Sequence, residues 1–176
     1  KVRVTVEPTR TPNQYILNTA CRNRRGLLSR LSGVLADEGI SVVSASLATW
    51  PDNSVLDTFI VEAPRPPDPV HVSRLFSQSM KGRLRPRKLA LAAPQVALDN
   101  SIHPWHSVLR ISGPDQLGLL SAISYALSNA GVQVHHAVVQ TKDGFVDDEF
   151  EISDRVGHKI GDDRADVVRK VLNRLK

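Results

Sequence analysis

Two short turns carry the residue types best suited to hold a small charged molecule. Each turn joins an apolar segment to a helical pattern, and free main-chain amides at a helix start favour a carboxylate or a phosphate. A side chain just before a helix can instead cap those amides, so the residues alone leave both roles open. The spacing matches neither a dinucleotide fingerprint nor a phosphate loop. The two turns are Asn23, Arg24, Arg25, Gly26 and Leu27, and Asp115, Gln116, Leu117, Gly118 and Leu119.

Other reactive residues do not form a catalytic pattern. Cys21 ends an apolar segment, which favours a buried, inert thiol over a nucleophile. His135 and His136 are adjacent, and neighbouring strand residues face opposite ways, so this pair is not expected to bind one ion. The carboxylates of residues 147–149 fit a solvated turn better than a cation site. We therefore predict no catalytic residue, no metal and no cofactor in this chain.

The elements that must position these turns follow from an internal repeat. A shift of 92 residues places Gly26 on Gly118, and ten of the 24 positions from Gly26 to Thr49 are then identical. The match continues upstream, where residues 4–17 fall on residues 96–109, and downstream with a one-residue slip. The chain is therefore predicted to encode the same unit twice.

Hydrophobic periodicity gives the elements of each unit. An alternating or apolar run predicts a strand, and apolar residues at a helical spacing predict a helix. Each copy is predicted as strand, helix, strand, strand, helix. The predicted ranges are 14–21, 27–35, 40–49, 55–62 and 68–80 in the first copy, and 105–112, 119–127, 132–141, 146–153 and 162–175 in the second.

This order indicates two α+β domains of ferredoxin-like (βαββαβ) type, with antiparallel sheets and helices on one face. Residues 96–98 are predicted to supply the last strand of the first copy, whereas the second copy has no residues left for one. We therefore expect the strand at residues 1–7 to cross over and complete the second sheet. The expected domains are residues 8–99 and 100–176.

The turns and the strands that follow the first helices resemble those of ACT domains, small regulatory modules that bind amino acids. The family signature is a D-R-x-G-L-L turn followed by a G-h-x-V strand, which residues 26–28 and 39–42 match, as do residues 115–120 and 131–134. Residues 146–160 are similar to the end of the uridylyltransferases that modify the PII nitrogen-signalling protein, and to plant ACT-repeat proteins.

The resemblance implies an allosteric module in nitrogen metabolism that senses an amino acid, with glutamine as the first candidate, and controls an attached or partner enzyme. The ligand would lie where two modules meet, and strand residues Ser44, Ser46, His135 and His136 would line its side-chain pocket. The chain itself would not be an enzyme, although a full-length parent would be a nucleotidyltransferase. Two departures matter: Arg25 and Leu117 replace the usual proline, and Asn23 replaces the acidic residue, which predicts weaker binding or none at the first turn.

Composition excludes some classes of protein and leaves alternatives for partners. No apolar run approaches the length of about 18 residues that spans a bilayer. One cysteine excludes an internal disulfide and fits a reducing compartment, so we expect the cytoplasm, or the plastid stroma if a transit peptide has been removed. The net charge of +5, with basic residues at 81–88, leaves nucleic-acid binding as an alternative, disfavoured because aromatic residues are 5%. A free-standing regulator, a homodimer and contact with a regulated enzyme also remain open.

Overall fold

The computed structural model describes residues 2–84, 88–89 and 94–175. Within them the chain forms four helices and one antiparallel sheet of eight strands. No helix in this part of the chain is long and apolar enough to cross a membrane. The elements are β1 (Arg3–Pro8), β2 (Gln14–Arg22), α1 (Leu27–Asp37), β3 (Ser41–Thr49), β4 (Ser54–Glu62), α2 (Pro69–Ser79), β5 (Gln95–Asp99), β6 (Ser107–Pro114), α3 (Leu119–Asn129), β7 (Gln133–Lys142), β8 (Phe145–Ser153) and α4 (Asp162–Asn173).

The sheet consists of two equivalent halves joined edge to edge. Its strand order is β1-β2-β4-β3-β7-β8-β6-β5, so β3 and β7 meet at the centre. Ser46 pairs with Val138 there, and these two residues are 92 positions apart. A local twofold axis therefore passes through this pair and relates the first module, β1 to α2, to the second, β5 to α4. Pairing β3 with β7 also removes two open sheet edges.

The predicted crossover of the first strand is wrong. β1 pairs with β2, from Arg3 opposite Ala20 to Pro8 opposite Tyr15, and β5 pairs with β6 in the same way. The reason is local: a short connection, closed by the Thr9 amide donating to the Gln14 carbonyl at 3.1 Å, folds β1 directly onto its neighbour in sequence. β5 therefore pairs within the second repeat, as β1 pairs within the first.

Each module is a ferredoxin-like fold whose last strand has moved to its N-terminus. β1 occupies the edge beside β2 that a C-terminal strand would fill in the usual order, and β5 does so beside β6. The sequence repeat carries the same information, because residues 4–17 match residues 96–109. The helices pack on one face of the sheet, where equivalent residues Leu17 and Leu109 are fully buried.

Candidate functional site

The helix starts at the two repeated turns have no side-chain cap. α1 and α3 begin after Gly26 and Gly118, whose φ angles of 69° and 86° are left-handed, and no side-chain hydrogen bond closes either start. Asn23 and Asp115 do not cap the helices as the sequence suggested. Their main-chain amides donate instead to the carbonyls of Asn53 and Gly144, at 2.9 and 2.8 Å. The Leu27 and Leu119 amides donate to the Arg24 and Gln116 carbonyls, both at 3.0 Å. The amides that follow them in each first turn are left for another acceptor.

A cavity lies over each of these helix starts, between the two modules. The large cavity, about 590 Å³, is bounded by the first turn and the start of α1, and by the end of α3 and the start of β7. The small cavity, about 20 Å³, is bounded by the second turn, the end of α1 and the start of β3. Most of their lining residues correspond across the 92-residue repeat. The two cavities therefore occupy equivalent positions but are lined by different side chains.

The structure divides the predicted site residues between these cavities. Asn23, Arg25, Gly26, Leu27 and His135 line the large one. Asp115, Gln116, Leu117, Gly118 and Leu119 line the small one.

Ser44 and His136 line neither cavity, although both belong to the strands that join the modules. Ser44 pairs with Gln140 across the β3–β7 seam. The His136 Nδ1 lies 2.8 Å from the Leu47 carbonyl oxygen, so this nitrogen carries the proton and donates it. These two residues connect the modules.

Comparison with known proteins identifies the module. Residues 15–72 match the ACT domain family, and the second half repeats the first in sequence and in strand order. The first module therefore contains an ACT domain, and the second module is its internal repeat; the two together are called the ACT pair below. A bifunctional uridylyltransferase/uridylyl-removing enzyme of Gluconobacter oxydans is 32% identical over 182 residues, which cover 90% of this chain and 19% of the relative. The enzyme of the same name from Rhodospirillum rubrum is 27% identical over 180 residues, with the same coverage.

The chain spans about a fifth of the length of these relatives. Aspartate kinase from Synechocystis has a similar fold, with a TM-score of 0.51 at 17% identity over 91% of this chain and 27% of that one. The same fold therefore also occurs within a longer enzyme.

Charge distinguishes the two cavities of the ACT pair. The large cavity is lined by Arg24, Arg25 and Arg155, against the single carboxyl of Asp57. The guanidinium groups of Arg24 and Arg25 also donate to the carbonyls of Met80 and Ser128, at 2.7 and 3.0 Å. The described residues that line the small cavity include two aspartates and no lysine or arginine. The large cavity is consequently the one suited to an anionic group.

Asp57 is a cavity residue that sequence reasoning did not assign. Its side chain is 2% exposed, and its Oδ1 has no hydrogen-bond partner among the described residues. Burial raises the pKa of the Asp57 carboxyl to about 7, partly offset by a hydrogen bond from the Ala48 amide. The signal was present in the sequence, because Asp57 and its counterpart Asp148 are acids in otherwise apolar strands. A buried acceptor with unused capacity is suited to a cationic group of a ligand.

Cys21 behaves as the sequence indicated. The thiol is partly buried, and burial, followed by the nearby charge of Asp57, raises its pKa to about 11. It is therefore protonated at neutral pH and unsuited to nucleophilic attack.

Of the basic cluster at residues 81–88, Arg85 and Arg87 lie outside the described residues.

Proposed function

We propose that this ACT pair binds an amino acid in the large cavity and thereby regulates an attached or partner enzyme. The observation that carries the proposal is the 590 Å³ cavity between the modules, which opens on an uncapped helix start. The volume is sufficient for a small metabolite, whereas the 20 Å³ of the small cavity is not. The proposal therefore assigns the ligand to the first turn, despite Asn23 at the position where the family has an acid.

The cavity offers separate partners for the two charged ends of an amino acid. Its carboxylate would accept from the first-turn amides of α1, with Arg25 and Arg155 supplying positive charge nearby. Its ammonium group would donate to Asp57, whose buried carboxyl has an unused oxygen, and to the side-chain oxygen of Asn23, which also lines the cavity. The ligand side chain would then lie toward Gln133 and His135 of the second module.

Regulation follows from the position of the cavity between two modules. A ligand that contacts both modules stabilises the arrangement that fits it and shifts the population toward that arrangement. Coupling energies of this kind are typically about 1–3 kcal/mol. Glutamine, which the resemblance to the PII uridylyltransferases implies, is the first candidate for the ligand. The names of the relatives make a uridylyltransferase/uridylyl-removing enzyme the first candidate for the regulated enzyme.

The binding test uses the twofold relation as its control. Calorimetric titration of the chain with each of the twenty amino acids should identify a ligand. Asn23→Ala should then weaken its binding, while Asp115→Ala, the equivalent change at the small cavity, should leave the affinity unchanged. No binding by any amino acid would contradict the proposal, and sensitivity to Asp115→Ala alone would place the site at the other turn.

The regulatory part needs a longer protein. In a full-length enzyme that contains this ACT pair, the identified amino acid should change activity, and Asn23→Ala should abolish that response while activity without the amino acid is retained. An unchanged response in the variant would reject control through the large cavity.

A further inference from the structure

A row of three histidines lies beside one carboxylate at the second module. The rings of His103 and His106 are parallel with centroids 4.8 Å apart, and the ring of His135 stacks on His106 at 4.0 Å. Glu151 Oε2 lies 3.4 Å from His106 Nδ1 and 3.8 Å from His103 Nε2. His103 and His106 belong to the connection between β5 and β6, and Glu151 lies near the end of β8.

We propose that His103, His106 and Glu151 bind a divalent transition-metal ion, with Zn²⁺ as the best match. Their candidate ligand atoms all lie within 4.8 Å of one another, and all three residues are partly buried. Imidazole nitrogens with one carboxylate oxygen form a donor set that Zn²⁺ commonly uses, with a fourth position for water. Tetrahedral zinc places its donors about 3.4 Å apart, so small side-chain rotations suffice.

The protonation of His103 sets the conditions for binding. His103 Nδ1 accepts from the main-chain amides of Trp105 and His106, at 3.2 and 2.9 Å, so the neutral ring carries its proton on Nε2. An ion at Nε2 requires the neutral ring to carry its proton on Nδ1 instead, so the Trp105 and His106 amides lose this acceptor. Binding therefore includes a change of tautomer at His103 and a local adjustment of the connection.

His135 extends the row but is not one of the ligands. Ser153 Oγ donates to the Asp154 carbonyl at 2.9 Å, so its hydrogen is already used. His135 Nε2 lies 2.7 Å from Ser153 Oγ and is therefore the donor in that contact. Its Nε2 is engaged by Ser153, so this ring stacks on His106 without ligating the ion. The ion would thus fasten the β5–β6 connection to β8.

The test is a zinc titration of the tag-free chain near pH 7.5, measured by calorimetry and by thermal unfolding. One Zn²⁺ per chain should bind, and the melting temperature should rise with zinc concentration. His106→Gln and Glu151→Gln should each weaken zinc binding at least tenfold. His158→Ala removes an exposed histidine outside the cluster and should leave the affinity unchanged.

Cobalt substitution supplies an independent readout. Co²⁺ bound by this donor set should show the visible absorption of a four-coordinate site, and His103→Asn, a change in an exposed connection, should abolish it. Absence of stoichiometric Zn²⁺ or Co²⁺ binding by the unmodified chain would overturn the proposal. Binding that persists in both His103→Asn and His106→Gln would overturn it as well.

Discussion

Ser29 and Ser121, which occupy the same position in the two repeats, exchange hydrogen bonds across the contact between α1 and α3. The hydroxyl of Ser29 donates to the carbonyl of Ser121 at 3.3 Å, and the hydroxyl of Ser121 donates to the carbonyl of Ser29 at 3.2 Å. Both side chains are buried, and a Cβ at Gly33 would lie 3.1 Å from Ser121 Oγ. Small residues thus bring the two helices close enough for the reciprocal bonds that fix the modules to each other.

Removing either hydroxyl should destabilise the pair of modules. Ser29→Ala and Ser121→Ala should each lower the free energy of unfolding by about 0.5–1.5 kcal/mol, because a buried carbonyl loses a partner. Urea unfolding measures the change. Ser77→Ala is the control, since that hydroxyl donates to Ser73 within its own helix, and it should have a smaller effect. Equal effects of all three changes would mean that the reciprocal bonds contribute nothing specific.

The elements were predictable because their signals are local. Apolar spacing in residues 27–35 and 119–127 gave both first helices, and Asp68 followed by proline gave the start of α2, where Asp68 Oδ1 accepts from the Val70 amide at 2.9 Å. The strand with which β1 pairs is determined by tertiary contacts, and hydrophobic periodicity does not specify it. The repeat did specify it indirectly, because the matching segments before β2 and β6 imply equivalent positions in the two modules.

The turns of the site were predictable, but the unequal cavities were not. Gly26 and Gly118 are marked by their position before a helix, where left-handed backbone is needed. The difference between 590 and 20 Å³ depends on how several side chains pack together, including Arg25 in place of Leu117 and Ser128 in place of Ala36. Because Asn23 replaces an acid in the first turn, the sequence predicted weaker ligand binding at that turn, whereas the larger cavity lies there.

Gly26→Ala should remove ligand binding and lower stability. The φ of 69° is strained for alanine by about 1–2 kcal/mol, and the new Cβ would collide with a methyl group of Leu84. Gly118→Ala is the matched control, because it carries a similar backbone strain at the small cavity. Calorimetry and thermal unfolding should show two destabilised variants, of which only Gly26→Ala has lost the amino acid. Retained binding in Gly26→Ala would argue against a ligand at this turn.

Amino-acid affinity should depend on pH through Asp57. The ionised carboxyl accepts an ammonium group better than the neutral one, and burial raises the pKa of Asp57 to about 7. Affinity should therefore fall about tenfold between pH 8 and pH 6, as the fraction of ionised Asp57 falls.

Asp57→Asn should weaken binding at pH 8 and flatten this dependence. Asp148→Asn changes the equivalent residue at the small cavity and should leave the pH dependence of the affinity unchanged. Titrations in buffers of different ionisation enthalpy would show proton release on binding in the unmodified chain. An unaltered pH profile in Asp57→Asn would exclude the proposed contact with the ammonium group.

Stability should fall with rising pH because of Asp148, and Asp148→Asn should reduce that fall. Burial is the first cause that raises the pKa of Asp148 to about 7 from its ordinary 3.8, opposed by a hydrogen bond from the Gln140 amide. Between these values the folded chain holds a proton that the unfolded chain has released, so the free energy of unfolding decreases as the pH rises through this window. The decrease is at most about 4 kcal/mol, since each pKa unit corresponds to about 1.4 kcal/mol.

Asparagine at position 148 can still accept from the Gln140 amide but carries no charge. Urea unfolding should therefore show Asp148→Asn to be more stable than the unmodified chain at pH 8, with little difference at pH 4. Asp147→Asn, an exposed change on the same strand, removes only a lesser repulsion on Asp148 and should give a much smaller gain. A gain of equal size there would remove burial as the main cause.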